Sequence, residues 1–506
     1  MLLRNNLQER KPAMKFSVNS TLSAIAKSEI DALVDIGLEK LRSAVTELVV
    51  AFVREVTPCR TRDLEHQLHD TLFAFAKGLL EQLLNSLETT PDALPKSVTH
   101  CEKSYRRLEE ATPREVVTRF GKITLIRCRY RRGRSGRTIF PLEIALGLQQ
   151  GFTPAAASIV GQQLATTGST QGRTIEFVKD HLRTSIGTSR LRKLGRHLAA
   201  QMEPFREPCQ LDQLMSWLED ARESKAKSVV LSVSRDAVSL GIAPWGYFEM
   251  ASVATISVLA DGKRRGTVYL GRTPETNQKT LSQQLSSLVR ATLKGCKACS
   301  AMPHVVYVTD AGKTEAAYWK NKLSKFYVDG KRIKIHRVVD YYHASERLTV
   351  IADCLKFGTT KQVRWAWLES ARKRLTKKGG HGRLMRSIAA MRRKYGVKSG
   401  KSSEFNKAVG YLKNQKRYMN YFAMKQQQFP IGSGVVESAC KQVVTERMKL
   451  SGMRWKRPGA QVVMTLRCIK LSNIWNQVFG KMLAAIPPVS DVIRNQTPNF
   501  QASNCA

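Results

Sequence analysis

Acidic residues are scarce in this sequence. Asp and Glu number 41 against 83 Lys and Arg, a formal charge of +42 over 506 residues. An imbalance of that size points to a polyanionic partner, most simply nucleic acid, with a cationic membrane-surface binder as the plainer rival. Long apolar runs are missing too. No stretch of about twenty apolar residues occurs, so no spanning helix is expected, and of the two partners nucleic acid is expected rather than a membrane. The opening Met1-Leu2-Leu3-Arg4-Asn5-Asn6 lacks the apolar core of a signal peptide. The ten cysteines are mostly scattered, which suits reduced thiols in a cytoplasm rather than a disulfide framework. Cys296-Lys297-Ala298-Cys299, with His304 nearby, is one pair where structural zinc takes four ligands, so it reads as a surface turn, with a redox role as the alternative. There is no nucleophilic triad and no P-loop, hence no nucleotide cofactor is implied.

What is present is enough apolar material, 42% of residues, for real cores, and a length that suits about three domains. Seven segments are expected. Residues 1–110 read as a helical region with a loose start at 1–25. Its two amphipathic helices, about 28–56 and 63–88, form a hairpin that is either core or an assembly surface. Residues 111–150 read as a small basic β element. Its strands flank Arg127-Cys128-Arg129-Tyr130-Arg131-Arg132-Gly133-Arg134-Ser135-Gly136-Arg137, six arginines without an acid. That hairpin tip is either a solvated turn or a DNA contact through residues such as Arg131 and Arg132. Residues 151–226 read as helical. A short helix at 173–179, a turn at Ile186-Gly187-Thr188 and a basic helix at 189–198 suit a helix-turn-helix. Arg190, Lys193 and Arg196 would then face the major groove.

From residue 227 the periodicity changes to strands. Val229–Asp236, Ala251–Leu259 and Thr267–Leu270 form a meander. A helix, the strand His304–Thr309 ending at Asp310, a second helix and a fifth strand, Arg332–Asp340, follow up to 360. Three strands in a meander, then helix–strand–helix–strand, is the order of an α/β RNase H-like core. In that order Asp236 and Asp310 end neighbouring strands, and two close carboxylates need cations between them. Residues 361–428 read as a basic helical insertion with 19 Lys or Arg against Glu369 and Glu404. Residues 429–486 read as further helices, beginning at Phe429-Pro430-Ile431-Gly432-Ser433-Gly434. That turn suits a phosphate. It places Glu437 in the first turn of a helix, near the positive end of its dipole, with Lys441 one turn on. An ordinary cap with an exposed glutamate is the plainer alternative. Arg454-Trp455-Lys456-Arg457 is a basic loop whose tryptophan either stacks on a base or anchors a helix junction. Asp340 and His343 follow the fifth strand and either approach the acids or cap a helix. Residues 487–506 read as a flexible tail.

Together, Ser234-Arg235-Asp236, Tyr307-Val308-Thr309-Asp310-Ala311-Gly312, Val339-Asp340-Tyr341-Tyr342-His343-Ala344-Ser345-Glu346-Arg347-Leu348, Pro430-Ile431-Gly432-Ser433-Gly434 with Glu437, and Leu450-Ser451-Gly452-Met453-Arg454-Trp455 resemble a DDE transposase of a bacterial insertion sequence, of the ISKra-type group. The likeness covers about 228–475 well and the N-terminal half loosely. It implies an RNase H-like catalytic core interrupted by the helical insertion before the glutamate. It implies Asp236, Asp310 and Glu437 as catalytic, metal-binding acids holding Mg²⁺ or Mn²⁺, two ions in all. It also implies cleavage at transposon ends and attack of the freed 3′-OH on target DNA. Double-stranded DNA would be the partner, a homodimer or higher assembly would form on it, and the location would be a bacterial cytoplasm, at the nucleoid. Two departures stand out: Ala237 replaces a frequent Gly after the first Asp, and only Cys128 remains where relatives often carry Cys pairs, so no zinc is expected. Two other readings stay open, a transposase-derived DNA-binding protein without catalysis and an RNase H-like nuclease.

Overall fold

The computed structural model describes residues 27–87, 94–244, 246–298, 302–355, 361–397 and 403–491. Expectations for 1–25, Cys299 and the tail beyond 491 fall outside them. The protein is mixed α/β and divides into two units, one formed by the chain up to Leu164 with Gln171–Leu198 and the segment from Lys481, the other by Ala165–Thr170 with Ala199–Gly480.

In the first unit the helices α1 (Lys27–Arg54) and α2 (Pro58–Ser86) form the expected hairpin. Thr57 caps α2, its hydroxyl accepting from the Arg60 amide, and Pro58 takes the first turn, so the connection is shorter than the expected Thr57–Arg62 stretch. Ile36, Val49, Val50, Val53 and Leu72 are left exposed on it, so these apolar positions are not core.

Strands arrive earlier than expected. β1 (Ser97–His100) and β2 (Lys103–Thr118) begin inside the region read as helical, and β3 (Gly121–Arg131) and β4 (Thr138–Ile139) follow. The sheet order is Val489–Asp491, β1, β2, β3, β4, all antiparallel. The segment read as a tail therefore contributes an edge strand. The arginine stretch divides: Arg127, Arg129 and Arg131 lie on β3, with Arg127 buried and received, like Arg114, by Glu143, while Arg132, Arg134 and Arg137 sit on the exposed turn beyond it. A carboxylate sixteen residues away turns Arg127, which looked like surface charge, into a buried, paired cation.

Helices Pro154–Leu164, Gln171–His181 and the start of Thr188–Glu223 complete this unit. The last is 36 residues long, far beyond the expected basic helix, and the chain passes into the second unit within it.

The second unit is built on a five-stranded sheet. β5 (Val229–Ile242), β6 (Tyr247–Ala260) and β7 (Lys263–Arg272) form the meander; β8 is His304–Thr309. A two-residue hairpin of β9 (Tyr327–Val328) and β10 (Lys331–Arg332) precedes β11 (Ile335–Val339), which is shorter than the expected fifth strand. The order is β11-β8-β5-β6-β7, with β5 parallel to β8, β8 parallel to β11 and the rest antiparallel.

Side chains alternate across such a sheet with a period of two. Leu231, Val233, Val305 and Tyr307 pack under helix Lys279–Ala298, whose own Leu281, Leu285, Leu288 and Val289 are fully buried. Val230, Val306 and Val308 face the other way, toward helix Tyr341–Leu355 and the insertion helices Lys361–Leu375, Gly380–Lys394 and Glu404–Asn414. Tyr411, Tyr418 and Tyr421, three of the insertion's aromatics, belong to that core rather than to its surface. Farther along the same face, Leu240 and Ile242 pack on Ala439, Val443 and Met464 of the C-terminal helices.

Candidate functional site

The period of two decides where the acids go. Asp236 lies six residues past Val230 and Asp310 two past Val308, so both leave the sheet on the face that carries the Glu437 helix. Ser234 pairs with Val308 in parallel register, and two residues on the same register sets Asp236 beside Asp310. Each carboxylate is held by its own backbone. Asp236 Oδ1 accepts from the Ala237 amide at 2.7 Å, and Asp310 Oδ1 from the Gly312 amide at 2.8 Å. Between Asp310 and Gly312, Ala311 sits at φ +66°, a left-handed conformation rare for a residue with a Cβ and often found where a turn is over-determined at a site. A Cβ on Gly312 would come within 2.9 Å of Glu315 Oε2 and 3.3 Å of Asp310 Oδ1, so glycine lets these carboxylates crowd.

Glu437 stands where the sequence put it, in the first turn of helix Gly434–Cys440, which packs on β5 and β6. It is half-exposed, and Cys440, one turn on, directs its thiol to Asp236 Oδ2 at 3.7 Å. Burial raises the Asp236 carboxyl above its ordinary value. The charges of Asp310 and Glu437 push it further in that direction, while hydrogen bonds from Ala237 and Cys440 oppose them.

The helix then passes through a π turn, Lys441–Thr445. The Arg467 guanidinium, buried, donates to the carbonyls of Gln442 and Val443 there and to Ala165. Burial lowers its pKa to about 10, still high enough to stay charged at neutral pH.

A second constellation meets Glu437 from the other side. Asp340 is fully buried and caps helix Tyr341–Leu355. Its Oδ1 accepts from the Tyr342 amide at 2.5 Å, and its Oδ2 accepts from the Ser433 amide at 2.9 Å and from the Ser433 hydroxyl. The Ser433 hydroxyl also lies 2.5 Å from Glu437 Oε1. His343, one turn into the helix, has Nδ1 at 3.0 Å from Glu346 Oε2 and Nε2 at 3.8 Å from Glu437 Oε1. Among the described residues, Asp340, His343 and Glu437 are the three metal-ligand side chains whose donor atoms all lie within 4.8 Å of one another. Asp236 and Asp310 lie beside that trio, not inside it. The insertion, packed on the same face, also holds the backbone here: Tyr411 donates to the Asp310 carbonyl at 2.8 Å, and Tyr421 to that of Asp340 at 3.5 Å.

Arg235, next to Asp236 on β5, faces the opposite side of the sheet. It is fully buried, with its guanidinium on Ser282 and Gln278, above the Tyr318 ring and 3.5 Å from Glu315. It forms the floor of a cleft of about 1720 Å³ edged by Lys279, Arg290, Lys313, Lys322 and Arg457, against Glu249 and Glu275. This cleft is not legible in the sequence, because its cations come singly from separate elements.

The expected DNA contacts divide. Arg132, Lys193, Arg196, Lys456 and Arg454 have exposed side chains, and Arg131 is half-buried on β3. Arg190 spends its guanidinium on the carbonyls of Gly151 at 2.9 Å and Glu115 at 3.3 Å, over the Phe152 ring, which is a structural role. Lys441 lies 3.9 Å from Glu446, and Arg457 is paired with Glu249. Trp455 is buried; its indole donates to the Met448 carbonyl at 2.8 Å and its own carbonyl accepts from Ala243 at the end of β5. The stacking alternative is corrected accordingly: this ring closes a helix junction. Cys296, likewise, is buried in its helix and not on a surface turn.

No protein-family model matches the chain, and no curated protein matches it.

Proposed function

We propose that the chain is a transposase of the DDE type, cutting DNA at the ends of its own element and joining the freed ends to a target. The observation that carries this reading is that the β5–β8 pairing sets Asp236, in the middle of β5, beside Asp310 just past β8, while the Glu437 helix packs on β5 and β6 and its Cys440 thiol reaches the Asp236 carboxylate. The strand order β11-β8-β5-β6-β7, with an antiparallel meander and two parallel additions, supports an RNase H-like core. The basic helical layer between Asp340 and Glu437 supports the interrupted form of that core.

The donor set is carboxylate-rich and partly solvent-exposed, which fits Mg²⁺ or Mn²⁺. Bound there, the metal would supply activation of the attacking oxygen and charge neutralisation at the leaving one. The chain's own part is to hold the carboxylates. The Ala237 and Gly312 amides fix Asp236 and Asp310, and the clamped π turn keeps the Glu437 helix seated on β5. In the first reaction a water oxygen bonds to phosphorus as the P–O3′ bond breaks, leaving a 3′-OH and a 5′-phosphate. In the second, that 3′-OH attacks a target phosphodiester and displaces its 3′ oxygen. The net charge of +42 supports double-stranded DNA as partner, and the apolar residues exposed on the α1–α2 hairpin support assembly of more than one copy on it.

The test is Mn²⁺-dependent nicking of DNA carrying the sequences that flank the gene, native chain beside Glu437→Gln and Asp236→Asn. Nicks at the element boundary that fall by about 10³-fold in each variant are expected, a loss of ~4 kcal/mol of barrier lowering. Binding without nicking in the native chain sinks the catalytic reading, and nicking indifferent to the flanking sequence favours a nuclease.

A further inference from the structure

We propose that Asp340, His343 and Glu437 form a metal subsite of their own, one that takes a divalent first-row transition ion of the Mn²⁺ to Zn²⁺ class in preference to Mg²⁺. The inference rests on the reading above only in sharing Glu437.

Donors bound to one ion at about 2.0–2.2 Å lie roughly 3.4 Å apart on a tetrahedral edge and a little over 4 Å apart across the ion. The three donor atoms, all within 4.8 Å of one another, are nearly at that spacing. His343 Nε2 and Glu437 Oε1, 3.8 Å apart, are too distant to share a hydrogen bond and close to the separation of two ligands on one centre. The other imidazole nitrogen is already committed. Nδ1 lies 3.0 Å from Glu346 Oε2, and a carboxylate receiving that N–H fixes the tautomer with the Nε2 lone pair turned toward Asp340 and Glu437. Glu346 is thus a positioning residue for the imidazole.

Ser433 shows how closely the two carboxylates approach. Its hydroxyl has one proton, yet it lies within hydrogen-bonding distance of both Asp340 Oδ2 and Glu437 Oε1. One carboxylate can receive that proton; the other faces an oxygen lone pair, a contact that either a proton or a bound cation relieves. An imidazole beside two carboxylates selects the ion class. Mg²⁺ favours oxygen ligands and its own waters, whereas Mn²⁺, Co²⁺ and Zn²⁺ accept a nitrogen donor readily. His343 is one-third exposed, which leaves an entry path.

The experiment is Mn²⁺ titration of the metal-stripped full chain with pulsed electron paramagnetic resonance. The expected result is nitrogen modulation from one imidazole in the native chain, lost in His343→Gln with a 10- to 100-fold weaker affinity. Glu346→Gln, a change at an exposed residue, should weaken Mn²⁺ by about 10-fold while keeping the nitrogen signal. This second variant keeps the test valid if His343→Gln does not fold. Mn²⁺ bound without nitrogen coupling overturns this subsite and leaves the Asp236–Asp310–Glu437 reading standing. Failure of the native chain to bind Mn²⁺ overturns both, and persistence of nicking in His343→Gln with unchanged Mn²⁺ affinity overturns the subsite alone.

Discussion

Asp236 carries two conflicting demands. Its carboxyl must be ionised to hold a cation, and its surroundings favour the protonated form. The folded chain therefore keeps this proton to a higher pH than the unfolded chain, whose carboxyl titrates near 3.8. The sign follows: the group contributes stability at low pH, and that contribution is lost as pH rises through its raised folded value. Asp236→Asn, similar in shape and neutral, should remove the loss. Urea melts of the metal-free chain across that range should show the variant gaining on the order of 1 kcal/mol over the native chain at neutral pH, with nicking abolished. A variant that tracks the native pH profile would mean that burial and the neighbouring charges do not raise this carboxyl in the folded chain. Trp455 and Arg190 illustrate what residue identity alone leaves open. Both sit in basic stretches that suit nucleic acid, and both are spent on backbone carbonyls. Composition near a residue says little about the one hydrogen bond that commits it, because the acceptors, Met448, Gly151 and Glu115, are chosen by tertiary structure.

At the level of elements, the turn after β8 is the narrowest part of the site. Gly312→Ala adds one methyl where the nearest atoms are carboxylate oxygens of Glu315 and Asp310. These must move by a few tenths of an ångström or more, and displaced reacting geometry is costly to rate even when the fold survives. The expected outcome is a 10- to 100-fold drop in nicking with a stability loss of about 1–3 kcal/mol, read by paired activity and melting measurements. An unchanged rate would show that Asp310 tolerates displacement and is not positioned by this turn. Elements were legible where periodicity was strong. The meander, the apolar β8 and the insertion helices follow directly from runs such as His304–Thr309, and Asp310 and Glu437 were located from a strand end and a helix start; Asp236 was read as a strand end too, but β5 runs six residues past it to Ile242, so it sits in mid-strand. Residues 97–110 were not, because six of the fourteen are Lys, Arg or Glu and the two buried positions, Val98 and Tyr105, sit opposite each other on different strands with no apolar alternation along either. The Asp340–His343–Glu437 convergence was only half legible. Spacing puts Asp340 and His343 on one turn, but the nearness of Glu437, 94 residues beyond His343, depends on the insertion folding back.

For the whole molecule, charge is the dominant property, and the cleft beside Arg235 is where it is arranged rather than merely accumulated. Lys313 and Lys322 edge the cleft and are exposed. Reversing both, Lys313→Glu with Lys322→Glu, should weaken DNA binding by 10-fold or more at low salt and flatten the salt dependence by roughly one unit of log–log slope per lost phosphate contact. Fluorescence anisotropy over a salt series reads both quantities. Unchanged slope would place the DNA path elsewhere on the surface.

The edge strand Val489–Asp491 has a consequence for synthesis. It pairs with Ser97–His100, so the first unit's sheet receives its outer strand only after almost four hundred further residues have been made. On a ribosome adding about 5–20 residues per second, β1 waits tens of seconds with an unpaired edge while the second unit, whose sheet is complete by Val339, emerges and folds. The order of the chain and the order of folding are thus reversed in this protein: the unit that starts first closes last, and its open edge is the surface a chaperone would meet.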